Sequence, residues 1–101
     1  MRVLVFFDLP TLTANDRKEY ARFRKFLIKE GFLMEQESVY SKLVVNGSAA
    51  DALSANVKRN SPMKGIVQLM KVTENQYSKM EYLAGKRASE VYDGDERLIF
   101  L

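Results

Sequence analysis

The chain of 101 residues contains no cysteine, no histidine and no tryptophan, and only two prolines and five glycines. Without cysteine there are no disulfides and no thiolate nucleophile. Without histidine as well there is no imidazole base and no zinc site of the usual kind. Any catalysis must therefore use carboxylates, hydroxyls, Lys or Arg. Any metal must be a hard cation held by oxygen, which means Mg2+ or Mn2+. No apolar run is long enough to span a bilayer, and no charged-then-apolar segment precedes the first strand, so the expectation is a cytoplasmic protein without membrane contact. Internal repeats are also missing. The composition is 47% apolar, enough for one hydrophobic core and too much for a disordered chain. The net charge of +3 and pI of about 9.2 are mildly basic, so the distribution of cations says more than their sum.

The chain is organised around its first ten residues, MRVLVFFDLP. Val3 to Phe7 is a continuous apolar run, too short for a helix and closed by Pro10. It reads as a strand buried on both faces. Alternation puts Asp8 on the face of Leu4 and Phe6, with Val3, Val5 and Phe7 on the other. An acid ending such a strand calls for a donor, a cation or a metal. Two readings stand: Asp8 accepts hydrogen bonds from the following loop, or it is a metal ligand.

After Pro10 the cluster TLTAND supplies turn and cap residues, with Thr13 or Asn15 as N-cap and Asp16 suited to the first turn. A helix is predicted to about Glu30, with Tyr20, Phe23, Phe26 and Leu27 as its buried stripe and Gly31 as its C-terminal stop. Its outer side is basic. Lys18, Arg22, Lys25 and Lys29 form one line opposite the apolar stripe, and Arg17 and Arg24 lie on a flank. Six cations stand against three acids, Asp16, Glu19 and Glu30. This is either a solvated face or a ridge that neutralises backbone phosphates without reading sequence.

Phe32 to Glu35 and Ser38 to Val45 read as two strands, followed by the turn signal Asn46-Gly47. Ser48-Ala-Ala-Asp51 resembles a capping box opening a second helix, which carries Ala49, Leu53 and Val57 inward and ends near Asn60. Lys58 and Arg59 there suit the helix dipole. Gly65 to Thr73 is a further strand. Residues 74 to 92 read as a short helical turn and then an extended segment. Asp93-Gly94-Asp95 is a turn, and Arg97 to Leu101 a short terminal strand.

The order strand, helix, strand, strand, helix, strand is the split βαβ arrangement, an α+β, ferredoxin-like βαββαβ fold with a short extra C-terminal strand. Residues 1–75 would form its core and residues 76–101 a C-terminal extension of the same domain. Two helices cover one face of the antiparallel sheet. The first strand is apolar on both faces, and Ile66, Val67, Leu69 and Met70 make the last core strand nearly so, so the open face needs a cover. The expectation is a homodimer through the open sheet face, with the terminal strand completing the dimer or docking a partner, and with the two Asp8 carboxylates near each other.

Phe6-Phe-Asp-Leu-Pro10, the helix bearing Arg17 and Arg24, Gly31-Phe32, and Gln36-Glu-Ser-Val-Tyr40 together resemble the CRISPR-associated protein two family, in the form that accompanies type II systems. The resemblance spans essentially the whole chain. It implies a homodimer acting in CRISPR adaptation, the capture of foreign DNA as spacers, beside an integrase partner, CRISPR-associated protein one, whose dimers flank it. It further implies a metal-dependent endonuclease on RNA or duplex DNA in which Asp8 holds magnesium, and it carries nucleic-acid contact to Arg17 and Arg24.

Two mechanisms follow. In one, Asp8 is the catalytic, Mg2+-holding residue of a slow nuclease. In the other, which is favoured here, the dimer is a charged platform. Duplex DNA lies across it, held through phosphates by Lys18, Arg22, Lys25 and their neighbours, while the integrase performs the chemistry. Tyr77, Tyr82 and Tyr92 are then either partner anchors or ordinary packing. Readings from other classes are a toxin-type messenger-RNA ribonuclease of the VapD kind and a non-catalytic nucleic-acid-binding ferredoxin-like module. The single-strand RNA-recognition signature is missing, as is the Gly-rich loop of a small-molecule regulatory domain.

Overall fold

A computed structural model describes residues 1–86. The predicted terminal strand, the Asp93-Gly94-Asp95 turn and Tyr92 lie outside the described residues. Strand β1 (Arg2–Asp8) leads into helix α1 (Ala14–Lys29), strands β2 (Leu33–Gln36) and β3 (Val39–Leu43), helix α2 (Gly47–Asn60), strand β4 (Ile66–Val72) and a short helix α3 (Glu74–Ser78). The four strands form one antiparallel sheet in the order β2-β3-β1-β4. This is the ferredoxin-like architecture read from the sequence. β1 is central because its apolar run can satisfy neighbours on both edges and both faces.

Register assigns the faces. Val5 lies opposite Tyr40 on β3 and Leu69 on β4, and this row turns toward the helices. Val3, Val5, Phe7 and Leu9 pack there with Phe23, Leu27, Tyr40, Leu53 and Val57 as one core cluster. Phe7 is its aromatic hub, with ring centroids 5.3 Å from Phe23, 5.8 Å from Tyr20 and 5.7 Å from Tyr40. The predicted stripe of α1 is present in graded form: Phe23 and Leu27 are fully buried, while Tyr20 and Phe26 pack at the margin. On the opposite face Leu4 is buried, but Ile66 and Met70 remain 57% and 48% exposed. An apolar row thus lies partly open to water, as the sequence pattern required.

The caps follow local chemistry. Thr13 caps α1: its hydroxyl accepts from the Asp16 N–H, and the Asp16 carboxylate accepts from the Thr13 N–H. At the other end Gly31, at φ +98°, lets its own N–H reach the Ile28 carbonyl and the Phe32 N–H reach the Leu27 carbonyl. That pair of bonds is a Schellman stop. Helix α2 departs from expectation. Its cap is Asn46, which accepts from the Ala49 N–H, so the helix starts at Gly47 rather than at the Ser48 box. Its inward residue in the first turn is Ala50 rather than Ala49.

Candidate functional site

Asp8 ends β1 opposite Ile66 and is exposed. Leu9 stays in the core, but on the face that Asp8 shares burial fades from Leu4 through Phe6, so the acid meets water and the burial argument for an obligatory partner lapses. What is tight here is the backbone. Gly65 has φ +88°, and a Cβ on it would stand 2.7 Å from the Asp8 carbonyl oxygen and 2.8 Å from Leu9 Cδ2. Gly65 therefore lets the α2–β4 turn close against the end of β1 and fixes where Asp8 is presented.

The other acids have separate tasks. Asp16 is held below the usual carboxylate range, chiefly by the Thr13 backbone N–H, and serves the cap. Glu35 accepts from the hydroxyls of Ser41 and Tyr77. Glu74 is lowered by its bidentate hydrogen bonds with Arg2, at 2.8 and 3.0 Å, and Arg2 is raised in turn. Among the described residues no three acids gather into a metal-binding group. At the end of β1 one chain therefore offers Mg2+ or Mn2+ one solvent-facing carboxylate, Asp8, with no metal-binding group of acids around it among the described residues. That does not suit an all-protein cage. It does suit the mode in which magnesium keeps waters and takes one or two carboxylates together with substrate phosphates.

The six predicted cations are all exposed on α1. Lys18, Arg22, Lys25 and Lys29 lie along its outer side. Lys18, Lys25 and Lys29 have no hydrogen-bond or ion-pair partner among the described residues. Arg22 bonds Glu19 at 3.1 Å and donates to the Asn60 carbonyl at the end of α2, also at 3.1 Å. On the opposite flank Arg17 donates to the Thr11 and Leu12 carbonyls, and Arg24 Nε donates to the buried Tyr40 hydroxyl at 2.9 Å. Each of these two guanidiniums is thus anchored through one nitrogen and keeps its other N–H groups outward. The structure does not bring Asp8 and the lysine row into one cluster: the acid stands at a sheet end and the cations on the outer layer of helices.

Sequence reasoning missed the attachment of α3. Arg2 stands over the Tyr77 ring, its Cζ 4.0 Å from the centroid, while also holding Glu74. Tyr77 is thereby engaged in packing at the edge of the open face. The following segment, Met80 to Lys86, lines a cleft with Leu4, Phe6 and Val39 and partly roofs that face. The capping box Thr73-x-x-Gln76 was the available signal for α3; its partner Arg2, 72 residues away, gave none.

The class of protein is thus a ferredoxin-like domain with a lone carboxylate at the end of its central strand and a cationic outer helix. Residues 1–80 match the family described as "CRISPR associated protein Cas2". Proteins named CRISPR-associated endoribonuclease Cas2 are similar over the full chain. One from Streptococcus mutans is 52% identical over 100% of this chain and 93% of its own. That from Treponema denticola is 50% identical over 100% of both. Among solved structures, a Streptococcus pyogenes Cas2 crystal chain superposes with a TM-score of 0.61, covering 83% of this chain and 100% of its own at 21% identity, a likeness of fold. The chain belongs to the CRISPR-associated Cas2 family.

Proposed function

We propose that this chain serves CRISPR adaptation as a homodimeric scaffold. It holds duplex prespacer DNA through the phosphates, without reading sequence, and bridges dimers of the CRISPR-associated integrase. The observation that carries this reading is the row Lys18, Arg22, Lys25 and Lys29, three of whose members lack protein partners among the described residues. Unpaired surface cations in line are what a phosphate backbone needs. Arg17 and Arg24 extend the surface, with guanidiniums already oriented by main-chain and Tyr40 acceptors. The partly open row Phe6, Ile66 and Met70 supports burial against a second copy.

The test is duplex binding. A Lys18→Glu/Arg22→Glu/Lys25→Glu variant should lose at least about tenfold in affinity and show a shallower salt dependence, while Asp8→Ala binds as wild type does. Equal binding by the triple variant would overturn the proposal.

A second activity is favoured by the exposed carboxylate at the β1 end and by the endoribonuclease name of the relatives. Asp8 would hold Mg2+ or Mn2+ together with substrate phosphate oxygens or a second copy's Asp8. A metal bound there would polarise a phosphodiester and lower the pKa of a coordinated water. Asp8 positions and neutralises; with no histidine in the chain, it also has no neighbouring imidazole to move the proton. One carboxylate per chain argues for weak metal affinity and slow turnover.

A further inference from the structure

Lys58 and Arg59 read in the sequence as dipole partners at a helix end. The fold gives one of them different company. Arg22, in the middle of the α1 row, donates to the Asn60 carbonyl, so the C-terminus of α2 lies directly beside that row. Arg59 turns the same way. Its Nη2 donates to Asn56 Oδ1 at 3.2 Å, and Asn56 Nδ2 donates to Glu30 of α1 at 3.0 Å. Lys58, one position earlier, is rotated by about 100° round the helix and away from α1. The turn after α2 then runs along the first half of α1. Pro62, Met63 and Lys64 line a cleft of about 170 Å3 with Asn15, Asp16 and Glu19, and Lys64 Nζ stands 3.8 Å from the Asp16 carboxylate. Lys64 remains 72% exposed.

The surface therefore carries two rows of cations. The first is Lys18, Arg22, Lys25 and Lys29 on α1. The second is Arg59 and Lys64, on the other side of the seam between the helices. Packed helices lie about 8–10 Å apart, between the roughly 6 Å and 12 Å widths of the two grooves of a duplex. The acids on this surface are already engaged: Glu19 by Arg22, Glu30 by Asn56, and Asp16 chiefly by its cap, with Lys64 as a longer ion pair that leaves the ammonium 72% exposed.

We infer that the nucleic-acid surface is a two-row platform, in which Arg59 and Lys64 take phosphates of the second strand of a duplex lying along the seam. This rests on the phosphate-binding reading of α1 and adds to it two residues, Arg59 and Lys64, and the strand they contact.

The experiment is the slope of log K against log salt, for a duplex and for one of its single strands. It compares wild type, Lys18→Gln/Lys25→Gln, Arg59→Gln/Lys64→Gln and the charge-keeping Arg59→Lys/Lys64→Arg, each checked for folding by thermal melting. Each lost duplex phosphate contact flattens the slope by about 0.9. Arg59→Gln/Lys64→Gln should flatten the duplex slope by about two such contacts, leave the single-strand slope unchanged, and be rescued by the charge-keeping pair. If only Lys18→Gln/Lys25→Gln flattens the duplex slope, the second row is refuted and the α1 reading stands. If neither pair flattens it, both fall. Equal flattening on single strand and duplex would refute the two-strand assignment.

Discussion

At the scale of single residues, position rather than type decides what each charge does. Asp8 and Asp16 are both acids close to the β1–α1 connection. One faces water, while the other is 7% exposed and closes a capping box. Asp16 and Glu74 are both held below their ordinary values, Asp16 mainly by the Thr13 N–H and Glu74 by Arg2. A folded-state pKa below the unfolded one gives stability that is fully present above the unfolded carboxylate value, about 4. That stability is lost as pH falls through the depressed folded value. Thermal melts of Asp16→Asn/Glu74→Gln should therefore fall less steeply than wild type over this acid range, and parallel curves would contradict the assignment. Gly65→Ala should cost about 1 kcal/mol or more in urea unfolding, because it combines a positive φ with a clash against the Asp8 carbonyl. An unchanged midpoint would mean the turn accommodates a side chain. The continuous apolar run that made β1 central was legible in the sequence. The exposure of Asp8 was not, because alternation assigns a face without saying how far that face is covered.

At the scale of elements, the sequence disclosed what is local. The fit of Thr13, Asp16 and Gly31 to cap chemistry bounded α1, and Leu53 and Val57 at helical spacing marked the inner face of α2. Ser48-x-x-Asp51 imitates a box, whereas the cap is the Asn46 side chain two residues earlier, which reaches the Ala49 N–H. The docking of α3 was invisible, since it depends on Arg2 and Tyr77 meeting across the sheet. Arg2→Met should release this helix, with faster amide exchange at residues 75–79 and little change in β1. Unaltered exchange would show that the Arg2–Glu74 pair does not hold α3. Thr13→Ala should cost about 1 kcal/mol through loss of the α1 cap, read by denaturant unfolding.

At the scale of the whole molecule, the family and the α+β architecture were legible because the motifs lie in the first forty residues and the element order is distinctive. The division of the surface was not, because neighbours across the α1–α2 seam are about forty residues apart: Arg22 meets the carbonyl of Asn60. The half-open sheet face leads to the expectation of a dimer mass by light scattering at micromolar concentration. A monomer there would remove the scaffold's second half.

The most direct test of the account is integration of labelled duplex DNA into an array substrate with the partner integrase present. It would compare wild type, Asp8→Ala and Lys18→Glu/Arg22→Glu/Lys25→Glu. The expected result is normal integration by Asp8→Ala and failure by the charge-reversed protein. Failure of Asp8→Ala with its dimer intact, together with normal integration by the charge-reversed protein, would contradict the scaffold and put the function in the chemistry of the strand end.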